Sequence, residues 1–297
     1  MIQRFDWSER GAVFNSARIP EDDVMKRILC TFICLLLLTA QVFPVGAAEK
    51  QQPIRVAMID SGISPVIIAS ANIGEGRNYV LPDRDTADVL GHGTALAGLI
   101  LDTAPDAVLV PLVYSSRAAG GKAVQCSVKT VARIIRDAVD VYDCQVINIS
   151  AGVSQDVPAL WEAIAYAEDQ GVVVVASVGN TNRTTPELSY YPASYDTVIG
   201  VGALRKDGRV ASFSQRYGVS LAAPGDGLKV LGLKGQSTTV SGTSYAAAQV
   251  TGAVAALLTK SPELTPAQVR ELLYDSARDI GVVGFDEDSG YGALQLP

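Results

Sequence analysis

Apolar runs and helical periodicities alternate along this chain from residue 54 onward. Runs suited to strands buried on both faces are Ile54–Ile59, Ala107–Val113, Val146–Ser150, Val172–Ser177 and Val198–Val201. Between them, apolar residues recur at helical spacing. One such stretch begins near His92. A second spans Ser127–Val141, with Val128, Val131, Ile134, Ile135, Ala138 and Val139 on one face. A third, Pro158–Gln170, stops at Gly171, a helix C-terminal signal. This alternation predicts right-handed crossovers and an α/β fold of three layers, a mainly parallel β-sheet flanked by helices on both faces. After Val201 the pattern shortens into Gly-rich pieces, Val210–Phe213, Val219–Ala222 and Val230–Leu233. A long apolar helix, Ser244–Lys260, then runs through the small residues Ala246–Ala248 and Gly252–Ala256, which suits close packing at the centre of the fold. Thr265-Pro266 announces a last helix, an N-cap followed by proline at the first helical position. No linker or repeat interrupts residues 54–297, which read as one domain.

The residues before this domain have a different character. Met25-Lys26-Arg27 is a short basic start, Ile28 to Ala40 an apolar run, and Gly46-Ala47-Ala48 a set of small residues suited to cleavage. Residues 25–48 therefore read as a secretory signal peptide, with an apolar run shorter than a membrane span. Residues 1–24 carry Asp6, Glu9, Glu21, Asp22 and Asp23, unlike a basic signal start, so translation is expected to begin at Met25, with 1–24 a mis-assigned leader. The expectation is an exported protein, secreted or periplasmic, with no membrane span in the mature chain. Composition agrees with a globular domain, 48% hydrophobic and 19% charged. A net charge of −7 without a Lys/Arg cluster argues against nucleic acid as a partner. Of the four cysteines, Cys30 and Cys34 leave with the signal, and Cys126 and Cys144 remain. The helix expected between these two separates them by about 20 Å, at roughly 1.5 Å per residue. A disulfide needs Cα atoms within about 7 Å, so no bridge is expected.

Candidate chemistry gathers at the junctions of this pattern. Asp60 closes the first apolar strand, the single histidine, His92, heads a helix, and Ser244 heads the long small-residue helix. Asn180 follows the Val172–Ser177 strand. Each has an ordinary structural explanation on its own: turn, cap or loop. In an open α/β sheet, however, all four fall at the carboxyl edge of the strands, where ligands bind. A hydroxyl, an imidazole and a carboxylate placed there are the parts of a nucleophilic triad.

The surrounding blocks resemble the signature blocks of subtilisin-like serine proteases. These are Val56-Ala57-Met58-Ile59-Asp60-Ser61-Gly62-Ile63, Gly91-His92-Gly93-Thr94-Ala95-Leu96-Ala97-Gly98 and Ser241-Gly242-Thr243-Ser244-Tyr245-Ala246-Ala247, in that family's Asp, His, Ser order. Secondary blocks agree, including Asn148-Ile149-Ser150-Ala151-Gly152, Ala176-Ser177-Val178-Gly179-Asn180 and Ala223-Pro224-Gly225. The resemblance covers residues 54–297 and implies a catalytic domain cutting peptide bonds through an acyl-enzyme. It assigns Ser244 as nucleophile, His92 as base and acid, Asp60 as its orienter and Asn180 as an oxyanion donor. Substrate would lie as an extended strand along Ser150, Ala151 and Gly152, which with Ser177, Val178 and Gly179 would line the primary specificity pocket. Tyr190 falls at the expected bottom of that pocket, where it would favour small or medium side chains or, alternatively, sit as a loop aromatic pointing elsewhere.

The chain departs from the family at Ala95, where a second histidine is usual, and at Ala248-Gln249, where Pro-His is common. The few residues between Ala48 and Ile54 leave no recognisable inhibitory pro-domain, so the chain is expected to fold unaided, to use an inhibitor or folding partner supplied in trans, or to lack that layer of control. No cofactor is required by this chemistry. Structural calcium, frequent in the family, has no placeable site, and the acidic loop with Asp83, Asp85 and Asp88 reads as solvated. Two rivals stand beside hydrolysis: a peptide ligase or macrocyclase on the same triad, and a catalytically silent peptide-binding module.

Overall fold

The computed structural model describes residues 52–296, so the leader and signal segment expected over residues 1–48 lie outside the described residues. In chain order the strands and helices are β1 (Arg55–Asp60), β2 (Arg77–Asn78), α1 (His92–Thr103), β3 (Val108–Val113), β4 (Ser115–Arg117), β5 (Ala123–Gln125), α2 (Val128–Asp140), β6 (Val146–Ile149), α3 (Pro158–Asp169) and β7 (Val173–Ser177). They continue with β8 (Ile199–Leu204), β9 (Leu221–Pro224), β10 (Leu228–Leu231), β11 (Ser237–Val240), α4 (Thr243–Lys260) and α5 (Pro266–Asp275). Seven strands make one sheet in the order β2-β3-β1-β6-β7-β8-β9, and every pairing in it is parallel. The β4–β5 and β10–β11 pairs are separate antiparallel hairpins.

The continuous apolar runs become strands covered on both faces, because successive side chains point to opposite sides. In β1, Val56 and Met58 pack into a core with α1, α4 and α5, whereas Ala57 and Ile59 pack into a second core with α2 and α3. The three-layer, mainly parallel architecture expected from the pattern is therefore the one observed. The helix starts follow local chemistry. Ser127 caps α2 by accepting from the Thr130 N–H, and Thr265 forms a capping box with Gln268 at the start of α5, with Pro266 as its first residue. The small residues of α4 do what their size allows. A side chain at Gly252 would bring its Cβ to 2.8 Å from the Ile100 carbonyl oxygen, so α1 and α4 touch nearly backbone to backbone.

The short piece Val210–Phe213 forms no named strand; a turn bonded from the Arg205 N–H to the Arg209 carbonyl returns the chain, and Val210 makes an isolated bridge to Leu204. The β4–β5 hairpin left no apolar signal, because its residues are mostly polar or small and all but Ser116 are at least partly exposed. Cys126 and Cys144 are both free thiols, as the intervening helix required. Burial pushes the Cys144 thiol up to about 12.

The topology also locates a cleft. From β1 the chain reaches β3 by way of α1 on one face, then returns by way of α2 on the other face to β6, across β1. Strand order thus reverses around β1. The crevice beyond the carboxyl ends of the strands at such a switch point is where ligands bind in open α/β sheets.

Candidate active site

Asp60 is the last residue of β1, 2% exposed, and its main chain is locked in place by the Tyr114 N–H donating to its carbonyl. Its carboxylate receives the Ser61 N–H at 2.7 Å and faces His92, whose Nδ1 lies 2.8 Å from Oδ1 and 3.0 Å from Oδ2. This contact puts the ring proton on Nδ1 and leaves Nε2 as the basic nitrogen. His92 opens α1 after Gly91, and about a third of its side chain remains exposed. Burial disfavours the imidazolium, but the Asp60 charge, the Asp60 hydrogen bond and, behind them, the Asp88 charge outweigh it. The His92 pKa stands above its ordinary value. The helix start is pressed hard against the β1 turn. A Cβ on Gly93 would fall 2.2 Å from the Gly62 carbonyl oxygen and 3.1 Å from Asp60 Oδ1.

Ser244 is the second residue of α4 and 8% exposed. It is not the helix cap. Gly242 occupies that position without a side-chain bond, and the cap is supplied from outside by Asn180. Asn180 Oδ1 accepts from the Thr243 N–H at 2.8 Å and from Thr243 Oγ1 at 3.1 Å. Thr243 Oγ1 in turn accepts from the Gly179 N–H at 3.2 Å, which ties the end of β7 to the start of α4. The acceptor half of the Asn180 amide is thereby spent on the helix. Its Nδ2 lies 3.6 Å from where a Gly242 Cβ would stand, beside the turn that carries Ser244, and has no acceptor among the described residues. Tyr245, next after Ser244, tilts against His92 with ring centroids 5.5 Å apart, so the elements bearing His92 and Ser244 meet at this edge.

The residues expected to hold substrate lie alongside. Ser150, Ala151 and Gly152 follow β6; Asn148 donates to Ser150 Oγ at 3.3 Å. Ala151 and Gly152 have no backbone hydrogen bond to protein among the described residues, and pairing resumes only at Val153 with Tyr191. Ser177 and Val178 are buried at the end of β7, and Gly179 is partly open. Between these two segments lies the Tyr190 ring. A Cβ at Gly179 would meet Tyr190 Cδ2 at 2.8 Å, one at Gly152 would meet Tyr190 Cβ at 3.2 Å, and the hydroxyl is hydrogen-bonded to Thr181 Oγ1 at 2.9 Å. Beyond Ala151 and Gly152 is an apolar cavity of about 280 Å³ walled by Tyr114, Val128, Val131 and Leu160. On the far side of His92 a second cavity of about 450 Å³ is bounded by Tyr245 and the β10–β11 hairpin.

One residue at this edge was misread from sequence. Asp88 is not solvated: it is 7% exposed and each of its oxygens is taken up by hydrogen-bond donors. The acidic loop therefore does not fit a calcium ion through Asp88, and no group of three or more His, Cys, Asp or Glu stands ready for a metal among the described residues.

The parallel α/β sheet brings Asp60, His92, Ser244 and Asn180 to one edge, in the chain order Asp, His, Ser. Residues 51–292 match the family model described as the Subtilase family, and the chain belongs to that family. It is 32% identical over 265 residues to Minor extracellular protease Epr of Bacillus subtilis (strain 168), across 86% of this chain and 39% of Epr. Among solved structures it is similar to fervidolysin from Fervidobacterium pennivorans, a keratinolytic enzyme related to subtilisin. That match has a TM-score of 0.73 at 32% identity, over 82% of this chain and 41% of that one. It is also similar to a lanthipeptide protease, with a TM-score of 0.70 at 27% identity over 82% of this chain and 85% of that one. This chain thus spans about two fifths of the length of Epr and of the fervidolysin chain.

Proposed function

We propose that this chain hydrolyses peptide bonds through an acyl-enzyme on Ser244. The observation that carries this reading is the His92 Nδ1 contact with both Asp60 oxygens, at 2.8 and 3.0 Å, which leaves Nε2 free at the edge that bears Ser244. Ser244 Oγ adds to the substrate carbonyl as His92 takes its proton. His92 then gives that proton to the leaving amine, the acyl group stays on Oγ, and water repeats the sequence to release the acid. Asp60 stabilises the imidazolium formed in each half. The oxyanion is received by the Asn180 Nδ2–H and the Ser244 N–H, with the positive end of α4 behind them. A fluorophosphonate probe is expected to label the folded chain at Ser244 and to leave Ser244→Ala unlabelled. Absence of labelling would instead favour a silent binding module. Mass spectrometry of the products of a defined peptide separates hydrolysis from ligation, which begins with the same acyl-enzyme.

The substrate class follows from the groove. An extended peptide would pair with the unbonded backbone of Ala151 and Gly152, as an added strand. Its residue at the scissile bond would meet the Tyr190 ring where a deep pocket would otherwise open between Gly152 and Gly179. Small residues such as Gly, Ala or Ser are therefore expected there, and an apolar residue further upstream would fill the 280 Å³ cavity. A peptide-library profile dominated by large aromatics at the cleaved residue would refute this, whereas Tyr190→Gly should shift the preference toward large side chains. The reading also includes export. Among the described residues no helix is long and apolar enough to cross a membrane, and Epr is by its name extracellular. The N-terminal sequence of exported protein, expected to begin just after Ala48, tests it.

A further inference from the structure

Asp88 belongs to no part of the proposed mechanism, yet it is among the most heavily bonded side chains in the described residues. Its Oδ1 accepts from Ser61 Oγ at 2.9 Å and from the N–H groups of Leu90 at 2.8 Å and Gly91 at 2.9 Å. Its Oδ2 accepts from the Thr94 N–H at 2.9 Å and Thr94 Oγ1 at 2.7 Å. Five donors converge on one buried carboxylate. Their placement is specific. Ser61 directly follows Asp60, Gly91 directly precedes His92, and Thr94 lies two residues beyond it. The arrangement is cross-tied as well. Ser61 Oγ accepts from the Gly93 N–H at 3.0 Å while donating to Asp88, and Thr94 Oγ1 accepts from the Ser64 N–H at 3.0 Å. The residue after Asp60 is thus bound to the residue after His92, and both segments are bound to Asp88.

We infer that Asp88 is the positioning residue of this site, an anionic clamp that sets the end of β1 and the start of α1 in the one relation that brings Asp60 to His92. The inference rests on the reading above only in taking His92 as the group to be placed. The clamp needs an anion. Asparagine has nearly the same shape, but whichever way its amide is turned, an N–H₂ group faces donors: the three on the Oδ1 side or the two from Thr94. The groups facing His92 itself are Asp60 from β1, Asp88 from the loop before α1, Tyr245 from α4 and, across the adjoining cavity, Lys234 from the turn between β10 and β11. Of these, Asp60 and Asp88 supply the negative charge. Removing the Asp88 charge therefore lowers the pH at which His92 titrates.

The chain contains a single histidine, so its imidazole can be followed directly in the full-length untagged protein. The experiment is a ¹H NMR pH titration of His92 in the Ser244→Ala background, with and without Asp88→Asn, paired with steady-state kinetics in the Ser244 protein. Expected are a downward shift of the His92 midpoint, a fall in kcat of about 10- to 100-fold from misplacement of the base with KM within about twofold, and a matching shift of the acid limb of the rate profile. Thr94→Val and Ser61→Ala, which each remove one donor to Asp88 together with the cross-tie that the same hydroxyl accepts, and keep the Asp88 charge, should lower kcat while leaving the midpoint near that of the parent. They carry the test if Asp88→Asn does not fold. A folded Asp88→Asn protein with the parent midpoint and parent turnover overturns the inference. So does a loss of thermal stability in all three variants with kcat unchanged. Because the titration is read without catalysis, a chain that never labels with fluorophosphonate still decides the matter of Asp88.

Discussion

In the proposed mechanism Asn180 serves two purposes. Its Oδ1 caps α4 through the Thr243 N–H and hydroxyl, and its Nδ2 would receive the oxyanion. The two can be separated by substitution. Asn180→Ala is expected to lower kcat by about 10²–10³, the cost of one oxyanion donor and a magnitude known from this same family. It should also cost about 1 kcal/mol of stability through loss of the cap. Asn180→Asp keeps an acceptor for the helix but has no donor for the oxyanion, so it should lose turnover while its melting temperature stays near that of the parent. Thermal melts and steady-state kinetics on the two variants check this, and equal melting temperatures for Ala and Asp would refute the capping role. His92 supplies a second test at this scale. Since its pKa is raised, it becomes the neutral base only at higher pH, and the acid limb of kcat/KM should lie above about 6.5, the ordinary histidine value. In Asp60→Asn, with the main source of the rise removed, the limb should move toward lower pH.

At the scale of elements, the site is a meeting of two helix starts, and what fixes their separation lies far from the chemistry. Gly252 sits two turns into α4, where any Cβ would approach the Ile100 carbonyl of α1. Gly252→Ala should force α1 and α4 apart, cost about 1–3 kcal/mol by overpacking and lower kcat, since His92 and Ser244 ride on those two helices. An unchanged melting temperature would show that the contact yields freely. The other end of the same layer is held by α5. Arg270 makes a two-pronged pair with Glu168 of α3 at 2.7 and 2.9 Å and donates to the Thr197 carbonyl at 2.8 Å. Both side chains are largely buried, at 13% and 20% exposure. Arg270→Ala is therefore expected to destabilise by about 2 kcal/mol, the usual scale for hydrogen bonds to a charged group, with little change in kcat, because the pair is remote from the edge that carries His92. Urea unfolding together with the kinetics tests both halves of that statement.

For the whole molecule, the raised His92 pKa ties stability and activity to pH in opposite senses. A group whose pKa is higher folded than unfolded contributes stability fully present below its unfolded value, near 6.5, and lost as pH rises through the folded one. Catalysis requires the neutral base and so appears over the same interval. The melting temperature of Ser244→Ala, which cannot digest itself, should fall across that window relative to a Ser244→Ala/His92→Gln protein. Parallel curves for the two would refute the linkage.

Much of this protein was legible in its sequence because the governing forces are local or repetitive. Strands buried on both faces must be apolar throughout, half-buried helices show a 3.6-residue period, and both signals survive in one dimension, as β1, β3, β6, β7 and the helix α2 show; α4 announced itself by its long apolar, small-residue run and α5 by its Thr265-Pro266 start. The residues of the proposed mechanism stand where apolar runs end, so Asp60, His92, Asn180 and Ser244 could be marked as candidates before any folding was known. Tertiary structure decided matters that depend on residues distant in the chain. The β4–β5 hairpin is polar and could not announce itself by hydrophobicity. Whether Tyr190 points into the groove depended on how its loop packs on Gly152 and Gly179. Asp88 looked like a solvated loop residue because charge in an Asp-rich stretch usually is. Only folding brought Ser61 of the distant β1 end to it and wrapped the nearby Leu90, Gly91 and Thr94 N–H groups around it, and a carboxylate can be buried only where such donors replace the water it gives up.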